Sequence, residues 1–186
     1  MAWHANWSEE FAMQAVPRTQ TTSVTGRHVH QILSNIEKGL GSYELPIKLF
    51  TIGRTFRNEN IDYKHLADFY QSDGIIIGNG LTMANLFDTL IKLYAGIGLK
   101  IRFKPSYYPF VEPGVTVEIQ RGNEWLESAG AGILRREITG IARKKITVLA
   151  WGLGVERLLL VKDKNIGNIA DLYGASAGWM RKMTIR

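Results

Sequence analysis

The segment Ala67–Ile77, ADFYQSDGIII, constrains the fold more than any other part of the chain. Phe69, Gln71 and Asp73 alternate, so on a strand they share one face. Ile75, Ile76 and Ile77 follow directly, so the strand enters the core and its polar positions are firmly placed. Upstream, Ile47–Arg57 is rich in β-branched and aromatic residues and reads as a second strand. The polar stretch Asn58–Lys64 between them suits a loop joining two antiparallel strands.

Helices are expected around this pair. Ser8 followed by Glu9 and Glu10 reads as a short helix start. Val29, Ile32, Leu33 and Ile36 follow helical spacing, with Gly39 and Gly41 as terminators. Thr82 is placed to cap a helix with Met83, Leu86, Phe87, Leu90, Leu93 and Tyr94 on its apolar side. Short strands are expected at Lys100–Lys104, Val115–Gln120 and Glu124–Glu127, and another at Ile146–Ala150. Gly152-Leu153-Gly154 reads as a turn into a helix over Val155–Val161, with a last helix over Ile166–Leu172. Strands concentrated in the middle with helices set apart predict an α+β fold, an antiparallel sheet flanked by helices.

A length of 186 residues fits one domain, 1–186. No apolar run reaches transmembrane length and no signal peptide is visible, so a cytoplasmic location without membrane contact is expected. The absence of cysteine excludes disulfides, thiolate metal sites and a cysteine nucleophile. The net charge of +6 favours polyanionic partners, although the basic residues are dispersed, with short clusters such as Arg143–Lys145.

Four groups could carry chemistry, and each has a plainer reading. Arg57 and Glu59 share a strand face; an arginine there can grip a phosphate and a carboxylate an amine, or the two form a solvated ion pair. Phe69, Gln71 and Asp73 offer a platform for a base and hooks for an amino group, or the wet side of a half-buried strand. Gly152–Arg157, GLGVER, places glycines before a helix and an arginine in its first turn, suited to an anion or to a simple glycine turn. Tyr107, Tyr108 and Phe110 around Pro109 could wall an apolar pocket or pack a core. His28 and His30 diverge on a helix and make no metal pair, and no hydrolytic triad stands out.

Taken in order, these blocks carry a resemblance. FTIGRTFRNENIDYKHLADFYQSDG (Phe50–Gly74) resembles motif 2 of class II aminoacyl-tRNA synthetases, in the form found in phenylalanyl-tRNA synthetase α subunits. GLGVER resembles motif 3. FKPSYYPFVEPG (Phe103–Gly114), WLESAGAG (Trp125–Gly132) and RTQTT (Arg18–Thr22) look like the same subunit.

The resemblance implies an enzyme that activates phenylalanine with ATP and Mg2+ and passes it to tRNA(Phe), in an α2β2 assembly with a β subunit. It implies that Arg57 and Arg157 are the catalytic cations, on the α- and γ-phosphates. Glu59, His65, Phe69 and Gly154 would complete the ATP site. Gln20, Thr22, Gln71, Asp73, Tyr108, Phe110, Ala150 and Gly152 would hold the amino acid, with Gln71 and Asp73 around its ammonium group. Glu112 and Glu127 would be the metal ligands. The family usually has histidine at Gln20, glutamate at Asp73, phenylalanine at Tyr108 and leucine at Pro17; the tyrosine is expected to bring a hydroxyl near the ring site. Motif 1 is not visible, and Met1-Ala2-Trp3 begins close to where it would have ended, so a fragment or split gene product is expected. The alternatives are a related synthetase for another amino acid and a non-catalytic paralogue binding RNA or a protein.

Overall fold

The three consecutive isoleucines divide between two cores on opposite faces of one sheet. Ile76 points to one core, Ile75 and Ile77 to the other. The computed structural model describes residues 6–60, 62, 65–139, 145–174 and 177–182. Met1-Ala2-Trp3, Ile61, Tyr63 and Lys64 of the expected loop, and Arg143 and Lys144 of the basic cluster lie outside the described residues.

The elements in chain order are α1 (Glu9–Ala12), α2 (Thr22–Lys38), β1 (Ile47–Phe56), β2 (Asp68–Asn79), α3 (Met83–Gly96), β3 (Ile101–Pro105), β4 (Val111–Arg121), β5 (Glu124–Leu134), α4 (Arg136–Thr139), β6 (Ile146–Gly154), α5 (Val155–Lys162), α6 (Asp171–Gly174) and α7 (Ala177–Lys182). The strands form one six-stranded sheet in the order β1-β2-β6-β5-β4-β3, with every neighbouring pair antiparallel. The fold is α+β, as the sequence pattern predicts.

Helix α3 forms where expected because its ends are specified. The Thr82 backbone N–H donates to the Asn85 side chain at 2.9 Å, and Gly98 beyond the end adopts φ +76°. It buries Leu86, Leu90 and Tyr94 completely against β4, β5 and β6, each burial contributing about 1.5–3 kcal/mol. Leu93, expected on the same face, is instead 40% exposed, because it lies at the border of the apolar stripe. Helix α5 packs on this side through Leu158 and Val161. On the opposite face α2 lays Val29 and Leu33 over Ile75, Ile77 and Val148. It ends at Gly39, φ +68°.

Three expectations are corrected. The strand assigned to Glu124–Glu127 continues to Leu134 through Ser128-Ala129-Gly130-Ala131-Gly132. Gly152-Leu153-Gly154 is no turn but the end of β6, paired with both β2 and β5. Over Ile166–Leu172 the chain is mostly irregular, with helix only from Asp171; Ile166 and Ile169 are buried with Leu160 in a small separate cluster.

Candidate active site

Helix α2 covers one end of its sheet face and leaves the other end open. The floor of the resulting cleft is built from residues without bulk. Gly130 pairs with Gly152 and Gly132 with Ala150, so glycines and an alanine meet across β5 and β6. The glycines are needed for close approach. A Cβ at Gly130 would stand 2.9 Å from the Tyr108 ring, and one at Gly132 2.4 Å from the Pro113 carbonyl oxygen. The segment before β4 thus folds down onto the floor, and Tyr108 and Phe110 line the cleft.

Two guanidinium groups face the cleft. Arg57 follows β1; its Nε donates to the Thr19 carbonyl at 3.1 Å, and its charge lies 4.9 Å from the centre of the Phe69 ring. Arg157, in the first turn of α5, donates to the Glu127 carbonyl at 3.0 Å. Burial is the main cause holding the Arg57 pKa below its ordinary value; nearby Arg157 lowers it further, while Glu59 and Glu127 oppose the shift. Like charges directed into one partly dehydrated cleft are an arrangement for a polyanion.

The remaining expected residues distribute as follows. Glu59, His65, Phe69, Gly154 and Glu127 line the cleft beside the arginines. The His65 ring nitrogen Nδ1 lies 2.8 Å from an Asp62 carboxylate oxygen. Gln20, Thr22, Gln71, Ala150 and Gly152 line it as well. Two residues fall elsewhere. Asp73 is 3% exposed and lies behind Gln71, bonded to Thr21, Thr25 and Gln71. Glu112 is exposed and borders a different depression, with Arg135 and Arg136. Since Glu118 pairs with Glu127, Glu112 sits at the opposite end of the β4–β5 hairpin and cannot share a metal with Glu127. No cluster of three or more His, Asp or Glu suited to a metal occurs among the described residues.

The Tyr108 hydroxyl is already engaged by the protein. It makes a 2.7 Å hydrogen bond with Thr116 Oγ1, and Thr116 in turn donates to Ser106 at 2.8 Å. Burial raises the phenol's pKa, the Thr116 bond pulls it down, and Glu127 adds to the rise.

Sequence reasoning passed over Glu156, which stands beside Arg157 in the quoted motif and lines the cleft while 3% exposed. Its Oε1 accepts from the Tyr70 N–H at 2.7 Å and from the Tyr173 hydroxyl, tying the start of α5 to β2 and α6. Its helical position gave no sign of this, because both partners come from distant segments.

The family model "tRNA synthetases class II core domain (F)" matches residues 3–183. Among similar curated proteins is the "Phenylalanine--tRNA ligase alpha subunit" of Metallosphaera sedula, 39% identical over 98% of this chain and 37% of its own length. That of Pyrobaculum arsenaticum is 42% identical over 92% of this chain and 33% of its own length. That of Methanocaldococcus jannaschii is 37% identical over 97% of this chain and 37% of its own length. The chain thus spans between 33% and 37% of the length of these three relatives. With the antiparallel sheet and the glycine-floored cleft, the match over residues 3–183 shows that this chain belongs to the tRNA synthetase class II core domain (F) family.

Proposed function

We propose that this chain forms the catalytic core of a phenylalanine–tRNA ligase, activating phenylalanine with ATP to phenylalanyl-adenylate for transfer to tRNA(Phe). The observation that carries the reading is the convergence of Arg57, Arg157 and the Phe69 ring on one cleft that Tyr108 and Phe110 also wall. The arginines and Phe69 suit a nucleoside triphosphate, and Tyr108 and Phe110 an aromatic side chain. The relatives' names supply phenylalanine and tRNA.

In this reading a phenylalanine carboxylate oxygen attacks the α-phosphorus. A C–O–P bond forms, the bond to the β-phosphate breaks, and pyrophosphate leaves. Arg57 offers its free N–H groups to the α-phosphate, where negative charge grows, and Arg157 holds the departing end. Phe69 presents a ring face to the adenine. Gly152 and Ala150 leave room for the phenyl group, against which Tyr108 and Phe110 pack. No side chain acts as a nucleophile: positioning and charge do the work. Of the two carboxylates expected to bind Mg2+, only Glu127 fits, since it lines the cleft; the ion would neutralise phosphate charge, with phosphates and water completing its shell.

We further propose a β-subunit partner in an α2β2 enzyme that works in the cytoplasm; the relatives' name, alpha subunit, supports a second kind of subunit. Residues 1–186 are taken as one domain, because the sheet draws its strands from Ile47 through to Gly154.

The test is a thermal-shift titration of the chain with non-hydrolysable adenylate analogues of phenylalanine, tyrosine and serine. Selective stabilisation by the phenylalanine analogue is expected. Stabilisation by another analogue would reassign the amino acid, and none in a folded sample would favour a binding-only paralogue.

A further inference from the structure

The resemblance puts both Gln71 and Asp73 around the substrate's ammonium group. We propose instead that Asp73 is a positioning residue: it acts only through Gln71, fixing that amide so that its carbonyl oxygen is the acceptor offered to the ammonium. The inference rests on the amino-acid reading of the cleft.

Asp73 is enclosed by donors. Its Oδ1 accepts from the Thr21 hydroxyl at 2.6 Å and from Gln71 Nε2 at 2.7 Å, and its Oδ2 accepts from the Thr25 hydroxyl at 3.1 Å. The carboxylate is 3% exposed and does not line the cleft, whereas Gln71 does. Gln71 lies between Asp73 and Arg57, and the two neighbours demand opposite things of it. Asp73 offers acceptor oxygens, so the NH2 must face it. Arg57 has only donors, and its Nη2 stands 3.5 Å from Gln71 Oε1. Flipping the amide would set oxygen against oxygen and N–H against N–H, so one orientation is imposed from both sides.

The packing supports this arrangement. Asp73 and Gln71 both press on Gly152, where a Cβ would stand 2.9 Å from Gln71 Nε2 and 3.0 Å from Asp73 Oδ1. Thr21, the residue capping α2, has no side-chain bond to its own helix and gives its hydroxyl to Asp73. The aspartate thereby also fastens the start of α2, where Thr22 and the preceding Gln20 line the cleft. A carboxylate bonded on both oxygens, buried and absent from the cleft lining is not presented to a ligand, whereas the Gln71 amide is.

Two readouts test the proposal. The first needs no ligand: hydrogen exchange of the Gln71 side-chain NH2 in the 15N-labelled chain, assigned by its loss in Gln71→Ala. Exchange at least about tenfold slower than for exposed glutamines is expected, with the protection lost in Asp73→Ala. Unprotected exchange in the wild type, or protection that survives in Asp73→Ala, overturns the proposal even if the chain binds no adenylate at all. The milder Asp73→Asn serves if the alanine variant does not fold; with one oxygen replaced by an NH2, either end of the asparagine amide can face Gln71, and partial loss of protection is expected.

The second readout is a double-mutant cycle on affinity for the phenylalanyl-adenylate analogue and for the same analogue lacking its amino group. Asp73→Asn should weaken the first about tenfold and leave the second unchanged, with no further loss in the Gln71→Ala background. Equal weakening of both analogues, or a full additional loss on top of Gln71→Ala, would mean that Asp73 serves general stability or meets the ligand itself, and either result overturns the proposal.

Discussion

The Tyr108 hydroxyl bonds to Thr116 Oγ1 at 2.7 Å, an internal partner that holds the ring over Gly130. Tyr108→Phe should therefore leave discrimination between phenylalanine and tyrosine analogues within about twofold of wild type, while the lost bond lowers stability by about 1 kcal/mol. Paired titrations with the two analogues and a urea melt check both. A large change in the affinity ratio would mean that the hydroxyl turns inward when ligand binds.

Arg57→Ala and Arg157→Ala should each lower adenylate formation in the assembled enzyme by about two to three orders of magnitude. Neither side chain fills a core: Arg57 bonds the Thr19 carbonyl and the Gln71 amide oxygen and lies over the Phe69 ring, and Arg157 bonds the Glu127 carbonyl, so folding should persist. Pyrophosphate exchange beside circular dichroism separates the effects. Normal exchange in either variant would remove that arginine from the phosphate site.

Glycine substitutions should divide by what lies above them. At Gly130 a methyl group meets the Tyr108 ring at 2.9–3.2 Å, so Gly130→Ala should cost about 1–3 kcal/mol and weaken analogue binding by pushing Tyr108 into the cleft. Gly26, within α2, has nothing within 4 Å of an added Cβ, and Gly26→Ala should stabilise by about 0.5–1 kcal/mol. Denaturant midpoints measure both.

Tyr94 gives the fold an alkaline limit. Burial pushes its phenol up to about 12, the bond to Ser128 offsetting part of the shift. An unfolded tyrosine ionises near about 10. The stability from the neutral buried phenol is therefore whole below pH 10 and is lost as pH rises toward 12, a contribution of about 3 kcal/mol. Urea midpoints should fall across that window, and the fall should be shallower in Tyr94→Phe.

How far the sequence could be read depended on whether side chains or backbone made the structure. Strands β1 and β2 and helix α3 were legible because β-branched runs and a capping threonine mark them. The second half of β5 was not. Ser128-Ala129-Gly130-Ala131-Gly132 has no strand propensity, and its glycines serve the loop that lies on them. For the same reason the glycines ending β6 looked like a turn. Arg57, Phe69 and Arg157 were found from local spacing and family resemblance. The roles of Thr21, Thr25 and Tyr173 were hidden, because each depends on a partner at least 17 residues away.

Arg18 has a consequence of a different kind. Strand β1 forms one margin of the sheet, and its outward N–H and C=O groups would accept a strand from another molecule. Near the cleft those groups are already taken: the Phe56 N–H donates to the Arg18 carbonyl at 2.9 Å, and Arg18 Nε donates to the Arg54 carbonyl at 2.6 Å. The guanidinium lies over Gly53, where any Cβ would strike it. Arg18 thus covers the cleft end of the place a seventh strand would take, and removing its side chain should show itself as self-association and loss of soluble protein on concentration.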